Sequence, residues 1–193
     1  MANFDQAIKK TMNHEGGWVD DKEDRGGETY CGISRRFHPS WAGWNLIDAK
    51  RDRPDFPTSL TDEPAISLSV SQFYKDQFWN RFQGDNIADQ AVAEELFDTG
   101  VNMGVGRAVN YLQQALNLLN RNELAWSDIV EDGQMGPRTM HALEACRIHE
   151  DNSHVLLKIM NNLQGSHYIK QMRKFPTQEK YARGWFARAE EVK

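Results

Sequence analysis

Two carboxylates and a threonine fall close together near the start of the chain. Glu15 stands in Glu15-Gly16-Gly17-Trp18, and Asp24 and Thr29 stand in Asp24-Arg25-Gly26-Gly27-Glu28-Thr29-Tyr30. Two carboxylates so arranged have the means to cleave an acetal. One, kept protonated beside apolar surface, donates its proton to a glycosidic oxygen. The other, solvated, steadies an oxocarbenium-like centre or activates a water. Glu15 suits the first role because it ends an amphipathic helix, where the helix dipole disfavours the charged form. That placement raises a carboxyl pKa, as would burial against Trp18 or Tyr30. The neighbouring glycines let the backbone turn sharply and approach a bulky substrate. Each residue also has a plainer reading. A glutamate in the last turn of a helix commonly faces water, and the acids at 20, 21, 23, 24 and 28 suit a solvated turn, with Asp24 as a turn former.

The elements that must hold these groups follow from periodicity. Asn3 is a candidate N-cap for a first helix with Phe4, Ala7, Ile8 and Met12 on its apolar side, running to His14 or Glu15, where Gly16-Gly17 stops it. Residues 18–34 read as a turn and β-hairpin, with Thr29, Tyr30 and Ile33 as strand formers. A loop-rich stretch over 39–57 follows. Thr61 is the expected N-cap of a helix over 62–81 carrying Ile66, Val70, Phe73, Tyr74 and Phe78. Further helices are expected over 89–99 and 105–119, from Pro137 after a turn at Asp132-Gly133, after Ser153, and around Tyr181, Trp185 and Phe186. The fold class is therefore mainly α with one small N-terminal hairpin.

Length and composition bound the function. A chain of 193 residues with 39% hydrophobic and 26% charged residues is an ordinary globular protein with room for one sizeable core or two small subdomains. A net charge of -5 argues against nucleic acid as a partner. The charge is uneven: residues 165–193 hold seven Lys or Arg against three Asp or Glu, a solvated helix face or a contact for an anionic partner. Two cysteines, Cys31 and Cys146, make no disulfide framework and have no metal-ligand spacing around them. Met1-Ala2-Asn3-Phe4-Asp5 carries no signal-peptide pattern, and no run is apolar enough to span a membrane. Synthesis in the cytoplasm is expected, with any action outside it following lysis or non-classical export.

The residues quoted so far form a longer pattern. Glu15-Gly16-Gly17-Trp18-Val19, Asp21, Asp24, Gly26-Gly27-Glu28-Thr29 and Gly32-Ile33-Ser34 resemble the N-terminal motif of glycoside hydrolase family 108, lysozyme-like muramidases that include phage endolysins, some once labelled secretion activators. Leu96-Phe97-Asp98, Val101-Asn102, Gly104, Leu112-Gln113, Asp132-Gly133 and Gly136-Pro137-Arg138-Thr139 resemble the peptidoglycan-binding domain that accompanies that family. The resemblance implies a lysozyme-like helical hydrolase domain over 1–92 and a helical peptidoglycan-binding subdomain over 93–193. It implies Glu15 as the catalytic acid. The spacing of Glu15, Asp24 and Thr29 also resembles the acid, aspartate and threonine of phage-type lysozymes, with the gap to the threonine one residue shorter, and that likeness implies Asp24 and Thr29 as the groups that hold the water or face the anomeric carbon. The substrate implied is peptidoglycan glycan, cut at the β-1,4 bond between N-acetylmuramic acid and N-acetylglucosamine by a monomer that needs no cofactor. The family's usual tyrosine is replaced by Trp18, which bears on substrate contacts and not on reaction class.

Trp18, Tyr30 and Tyr74 are the candidate substrate-binding residues, since aromatic faces stack on sugars, although such rings more often belong to a core. Asp98 and Asn102, four apart on one helix face, suit a tie from that helix to a neighbouring backbone. No metal is expected: His149-Glu150 followed by His154 has the wrong spacing for a zinc pair. Two rival functions remain at this level. One is a non-catalytic wall-binding or secretion-assisting protein, and the other a hydrolase of chitin or chitosan.

Overall fold

A computed structural model describes residues 1–12, 17–20, 27–149 and 153–189. Glu15 and Asp24 lie outside the described residues, as does the expected end of the first helix. The chain divides into two compact units, one formed by Phe4–Asn80 and the other by Met1–Asn3 with Arg81–Lys193.

In the unit Phe4–Asn80, helix α1 (Phe4–Met12) buries Phe4, Ala7 and Thr11, spaced three and four residues apart as a single helix face requires. Phe4 meets Trp79 edge to face, ring centroids 5.5 Å apart. Strands β1 (Trp18–Asp20), β2 (Glu28–Tyr30) and β3 (Ile33–Ser34) form an antiparallel sheet in that order. The expected hairpin thus gains a third strand. Trp18 pairs with Tyr30, Val19 with Thr29 and Asp20 with Glu28, while Tyr30 pairs with Ile33 across a two-residue turn. Both turn residues, Cys31 and Gly32, have positive φ (45° and 75°), as a type I′ hairpin turn demands.

Helix α2 (Gly43–Asp48) follows, and then the expected helix over 62–81 departs from its predicted form. Thr61 lies in a 3-10 turn, Thr58–Asp62, where its hydroxyl donates to the Thr58 carbonyl at 2.7 Å. The α-helix, α3 (Pro64–Tyr74), starts only at Pro64. A proline biases the residue before it away from helical angles, and Glu63 is extended at φ -97°, ψ 104°. Pro64 itself costs nothing at the first helical position, where no internal acceptor awaits its missing N–H. Beyond Tyr74 the helix loosens into a π turn over Lys75–Trp79.

The second unit is helical. Its N-terminal residues are tied in: the Ala2 N–H donates to the Ile87 carbonyl at 2.7 Å, and the Asn3 N–H donates to Gln90 Oε1 at 2.6 Å. Helix α4 (Gln90–Met103) is capped by Asp89, whose carboxylate accepts the Ala91 and Val92 N–H groups. It runs past the expected Thr99 and stops at Gly104, φ 91°. On α4 the Asn102 amide donates to the carbonyl of Asp98 at 2.8 Å and to its carboxylate at 3.2 Å, so this pair binds along its own helix. Helix α5 (Val105–Leu119) keeps its expected bounds, and α6 (Pro137–His149) starts at the expected proline. Helices α7 (His154–Lys174) and α8 (Ala182–Ala189) complete the unit. Gln164 of α7 donates to Thr99 of α4 at 2.9 Å, both buried, and Tyr168 stacks on Trp185 at 4.7 Å.

The irregular stretch between α5 and α6 is fastened by Gln113, a buried amide. Its nitrogen donates to Asp132 Oδ1, the Gln134 carbonyl and Thr139 Oγ1 at 3.0, 3.0 and 3.1 Å, and its oxygen accepts the Gly133 N–H at 2.8 Å. Gly133 is left-handed at φ 71°, and a Cβ there would stand 2.4 Å from the Gly106 carbonyl oxygen. At Gly104 the φ is also positive but nothing lies within 4 Å of an added Cβ. Urea unfolding should therefore separate the two: Gly104→Ala should lose about 1–2 kcal/mol for the left-handed residue alone. Gly133→Ala should lose about 1–3 kcal/mol more, because its neighbour is backbone and cannot swing away.

Candidate functional site

Strand β2 carries three residues in succession that act in different directions. Alternation along a strand sends Glu28 and Tyr30 to one face of the sheet and Thr29 to the other. Directly paired residues share a face, so Trp18 stands with Tyr30, and Val19 and Ser34 stand with Thr29.

Glu28 is the hub of the first face. Its Oε1 accepts the Trp18 indole N–H at 2.9 Å and also pairs with the Arg51 guanidinium. Its Oε2 pairs with Arg35 Nε at 2.8 Å. Both arginines go on to Asp48 at the end of α2. Arg35 reaches it with two bonds of 2.7 and 3.0 Å, and Arg51 with one of 2.8 Å. The Arg35 guanidinium also lies over the Trp44 ring at 4.5 Å. Two carboxylates and two guanidiniums thus neutralise one another while binding β2 to α2. Only 11% of the Glu28 side chain is exposed, and a charge so enclosed has to be paired. The hydrogen bonds from Arg35, with help from Arg51, hold the Asp48 carboxyl below its usual range. Asp48 in turn, and then Glu28, raise the Arg51 guanidinium.

Of the expected substrate-binding residues, Trp18 keeps part of its ring exposed and meets Phe56 edge to face at 5.0 Å. Tyr30 and Tyr74 are each 3% exposed. The Tyr30 hydroxyl donates to the Leu60 carbonyl at 3.1 Å, and that of Tyr74 to the Cys31 carbonyl at 2.8 Å. Burial pushes the Tyr30 phenol up to about 12. These two rings brace the β2–β3 hairpin from within the unit and offer no open face to a sugar. The reason is local: a strand this short anchors itself by its inward residue, and a tyrosine can be buried once its hydroxyl finds an acceptor. Thr29 is half-buried and its hydroxyl donates to the Gly27 carbonyl at 3.1 Å, next to the segment that contains Asp24.

A second concave surface in this unit escaped the sequence analysis. A groove of about 320 Å³ is walled by His38, Trp41 and Phe73 and rimmed by Gln72, Asp76 and Gln77. The Trp41 ring lies against Gly43 so closely that a Cβ there would come within 2.2 Å of it. The indole N–H donates to the Ser69 carbonyl at 3.2 Å. Aromatic walls with an amide and carboxylate rim are the surface that saccharides use. Neither the groove nor the Glu28 quartet was legible in the sequence, since each joins stretches that only the fold brings together: 38–42 with 69–77 in the groove, and 28–35 with 48–51 in the quartet.

A family model described as glycosyl hydrolase 108 matches residues 8–104, and one described as a predicted peptidoglycan domain matches residues 107–190. Among solved structures, that of Brucella abortus SagA is similar, with a TM-score of 0.62 and 20% identity, covering 98% of this chain and 90% of that chain. At that identity the likeness is one of fold. No curated protein matches the chain.

Two outcomes follow from the quartet. Glu28→Gln keeps the shape but strips one charge from each arginine's surroundings, and thermal unfolding should show a loss of about 2 kcal/mol with altered Trp18 fluorescence. Asp48, with its depressed pKa, contributes stability that is present above the usual carboxylate range and is lost as pH falls through its lower folded value. Asp48→Asn should therefore flatten the acid limb of a melting-temperature profile while changing its slope little near neutrality.

Proposed function

The chain belongs to the glycosyl hydrolase 108 family, and from that membership we propose that it hydrolyses peptidoglycan at the β-1,4 bond between N-acetylmuramic acid and N-acetylglucosamine. The observation that carries this reading is the presence, in one chain, of the hydrolase match over 8–104 and the peptidoglycan match over 107–190. The first supplies the reaction class and the second the polymer.

In this reading Glu15 is the general acid and gives its proton to the leaving glycosidic oxygen as the bond lengthens. Asp24 stabilises the positive charge that develops at the anomeric carbon or orients the attacking water. Thr29 assists beside it. The Glu28 quartet does not touch substrate. It holds β2 rigid, so that Thr29 keeps one geometry during catalysis. Trp18, with part of its ring open, is the stacking candidate that remains from the sequence analysis. The aromatic groove at Trp41 and Phe73 is a candidate place for a more distant sugar of the same strand. Proton transfer and electrostatic stabilisation by two carboxylates suffice for the reaction without a cofactor.

The test is digestion of purified sacculi by wild type and Glu15→Gln, with mass spectrometry of the released fragments. Wild type should release fragments with N-acetylmuramic acid at the reducing end. Folded Glu15→Gln should be slower by about 10²–10⁴-fold. A folded wild type that binds sacculi and releases nothing would replace this reading by that of a wall-binding protein. Cleavage of chitin in preference to sacculi would change the substrate.

A further inference from the structure

Helix α5 and its C-cap carry side-chain amides at Asn110, Gln113, Asn117 and Asn120, and spacings of three, four and three put them on one face. All four are bonded to the stretch 128–134, which runs antiparallel beside the helix. Asn120 donates to the Asp128 carboxylate at 2.5 Å. Asn117 exchanges two bonds of 2.9 Å with the backbone of Ile129. Asn110 donates to the Glu131 carbonyl at 2.6 Å, and Gln113 takes Asp132, Gly133 and Gln134 as described above. The amides do for this stretch what a neighbouring strand would do, and around Val130 they take the alternate residues Ile129 and Glu131.

Val130 lies between the two alternate residues so held. Its backbone N–H and C=O have no partner among the described residues, and its side chain is 69% exposed while that of Ile129 is buried. A residue so placed presents a donor and an acceptor outward, as an edge strand does. It borders a groove of about 490 Å³ together with Asp132, Gly136, Pro137 and Arg138. The Arg138 guanidinium is exposed and has no ion-pair partner among the described residues. No aromatic residue lines this groove, so a sugar ring finds no stacking face there.

We infer that this groove takes the peptide stem of peptidoglycan, as an extended segment laid along Val130 with a stem carboxylate on Arg138. The inference rests on the peptidoglycan reading of the chain and says which part of the polymer this site holds. Backbone pairing at an open edge supplies affinity for an extended peptide. A guanidinium matches a carboxylate in charge and in planar geometry. Val130 and Pro137 offer apolar surface of a size that suits alanine methyl groups. Asp132, whose Oδ1 is fixed by Gln113 and the Gln134 N–H, supplies negative charge for a diamino-acid ammonium. A glycan chain offers acetamido groups and, where no stem is attached, a lactyl carboxylate, but neither an ammonium nor an extended run of peptide amides to pair with Val130.

The experiment is an NMR titration of the full chain with a free stem tetrapeptide (L-Ala, γ-linked D-Glu, a diamino acid, D-Ala) and, separately, with the N-acetylglucosamine–N-acetylmuramic acid disaccharide bearing no peptide. The tetrapeptide should shift the amide signals of Val130, Glu131 and Arg138, and the disaccharide should leave them in place. Arg138→Gln should weaken tetrapeptide binding about tenfold, with Arg138→Lys recovering part of the loss. Val130→Pro, which removes an N–H that has no internal acceptor but also restricts the backbone at 129 and 130, should weaken it several-fold, read in a chain whose Ile129 and Gly133 amide signals stay in place. Shifts produced by the disaccharide instead, silence at these residues up to millimolar tetrapeptide, or full affinity in Arg138→Gln would overturn the inference. Hydrolysis of sacculi with silent Val130 and Arg138 would remove the stem site and leave the hydrolase standing. Specific shifts at those residues in a chain that cuts no wall would uphold the stem site and remove the hydrolase.

Discussion

The unit Phe4–Asn80 depends on one enclosed carboxylate. Glu28 receives the indole of Trp18 and the guanidiniums of Arg35 and Arg51, from three separate stretches of chain. A three-residue strand has too few ladder bonds to hold its own position, and isolated strand pairs are marginal in water. The charge of Glu28 changes this balance. An ionised group so little exposed is tolerable only with its partners in place, so any displacement of β2 would strip them away and cost several kcal/mol. Position is thereby imposed on the sheet by electrostatics as much as by packing. Tyr30, on the same face of the sheet as Glu28, and Tyr74 add to the constraint, each trading its hydroxyl's hydration for a backbone carbonyl.

The helical unit solves an analogous problem with neutral groups. Its connection from α5 to α6 has no sheet to join, yet its backbone needs partners wherever water is excluded. The amide face of α5 provides them, and an amide offers both donor and acceptor, so Asn117 can bond Ile129 in the manner of a strand. Gln113 is the most committed of these, with its amide nitrogen donating to three acceptors and its oxygen accepting the Gly133 N–H inside the unit. In both units a buried polar side chain organises irregular chain near the surface, and irregular chain is where recognition residues are most easily presented.

The helical elements were the most legible. Pro137 reads as a start and α5 kept both expected ends, because such signals act on backbone groups within four residues of themselves, whereas α4 ran four residues beyond its expected end at Thr99. The same local physics was misjudged at Thr61, where a good capping residue lost to the conformational restriction that Pro64 puts on Glu63. The aromatic residues were harder. Trp18, Tyr30 and Tyr74 looked alike as candidate sugar contacts, but only Trp18 stayed partly open, because the polar end of each tyrosine found a carbonyl 30 or 43 residues distant.

By itself the sequence determined a mainly helical chain with a small N-terminal sheet, the bounds of α5 and the start of α6, and the family pattern around Glu15, Asp24 and Thr29. These are properties of neighbouring residues, or of residue types at fixed spacing. Only the tertiary structure decided that Glu28 is a hub, that Thr29 faces away from it, that two tyrosines are braces, and that Val130 is left with an open edge beside Arg138. An acid or an amide looks the same in a sequence whether water or protein solvates it. Which one does depends on the distant groups that folding brings within about 3 Å.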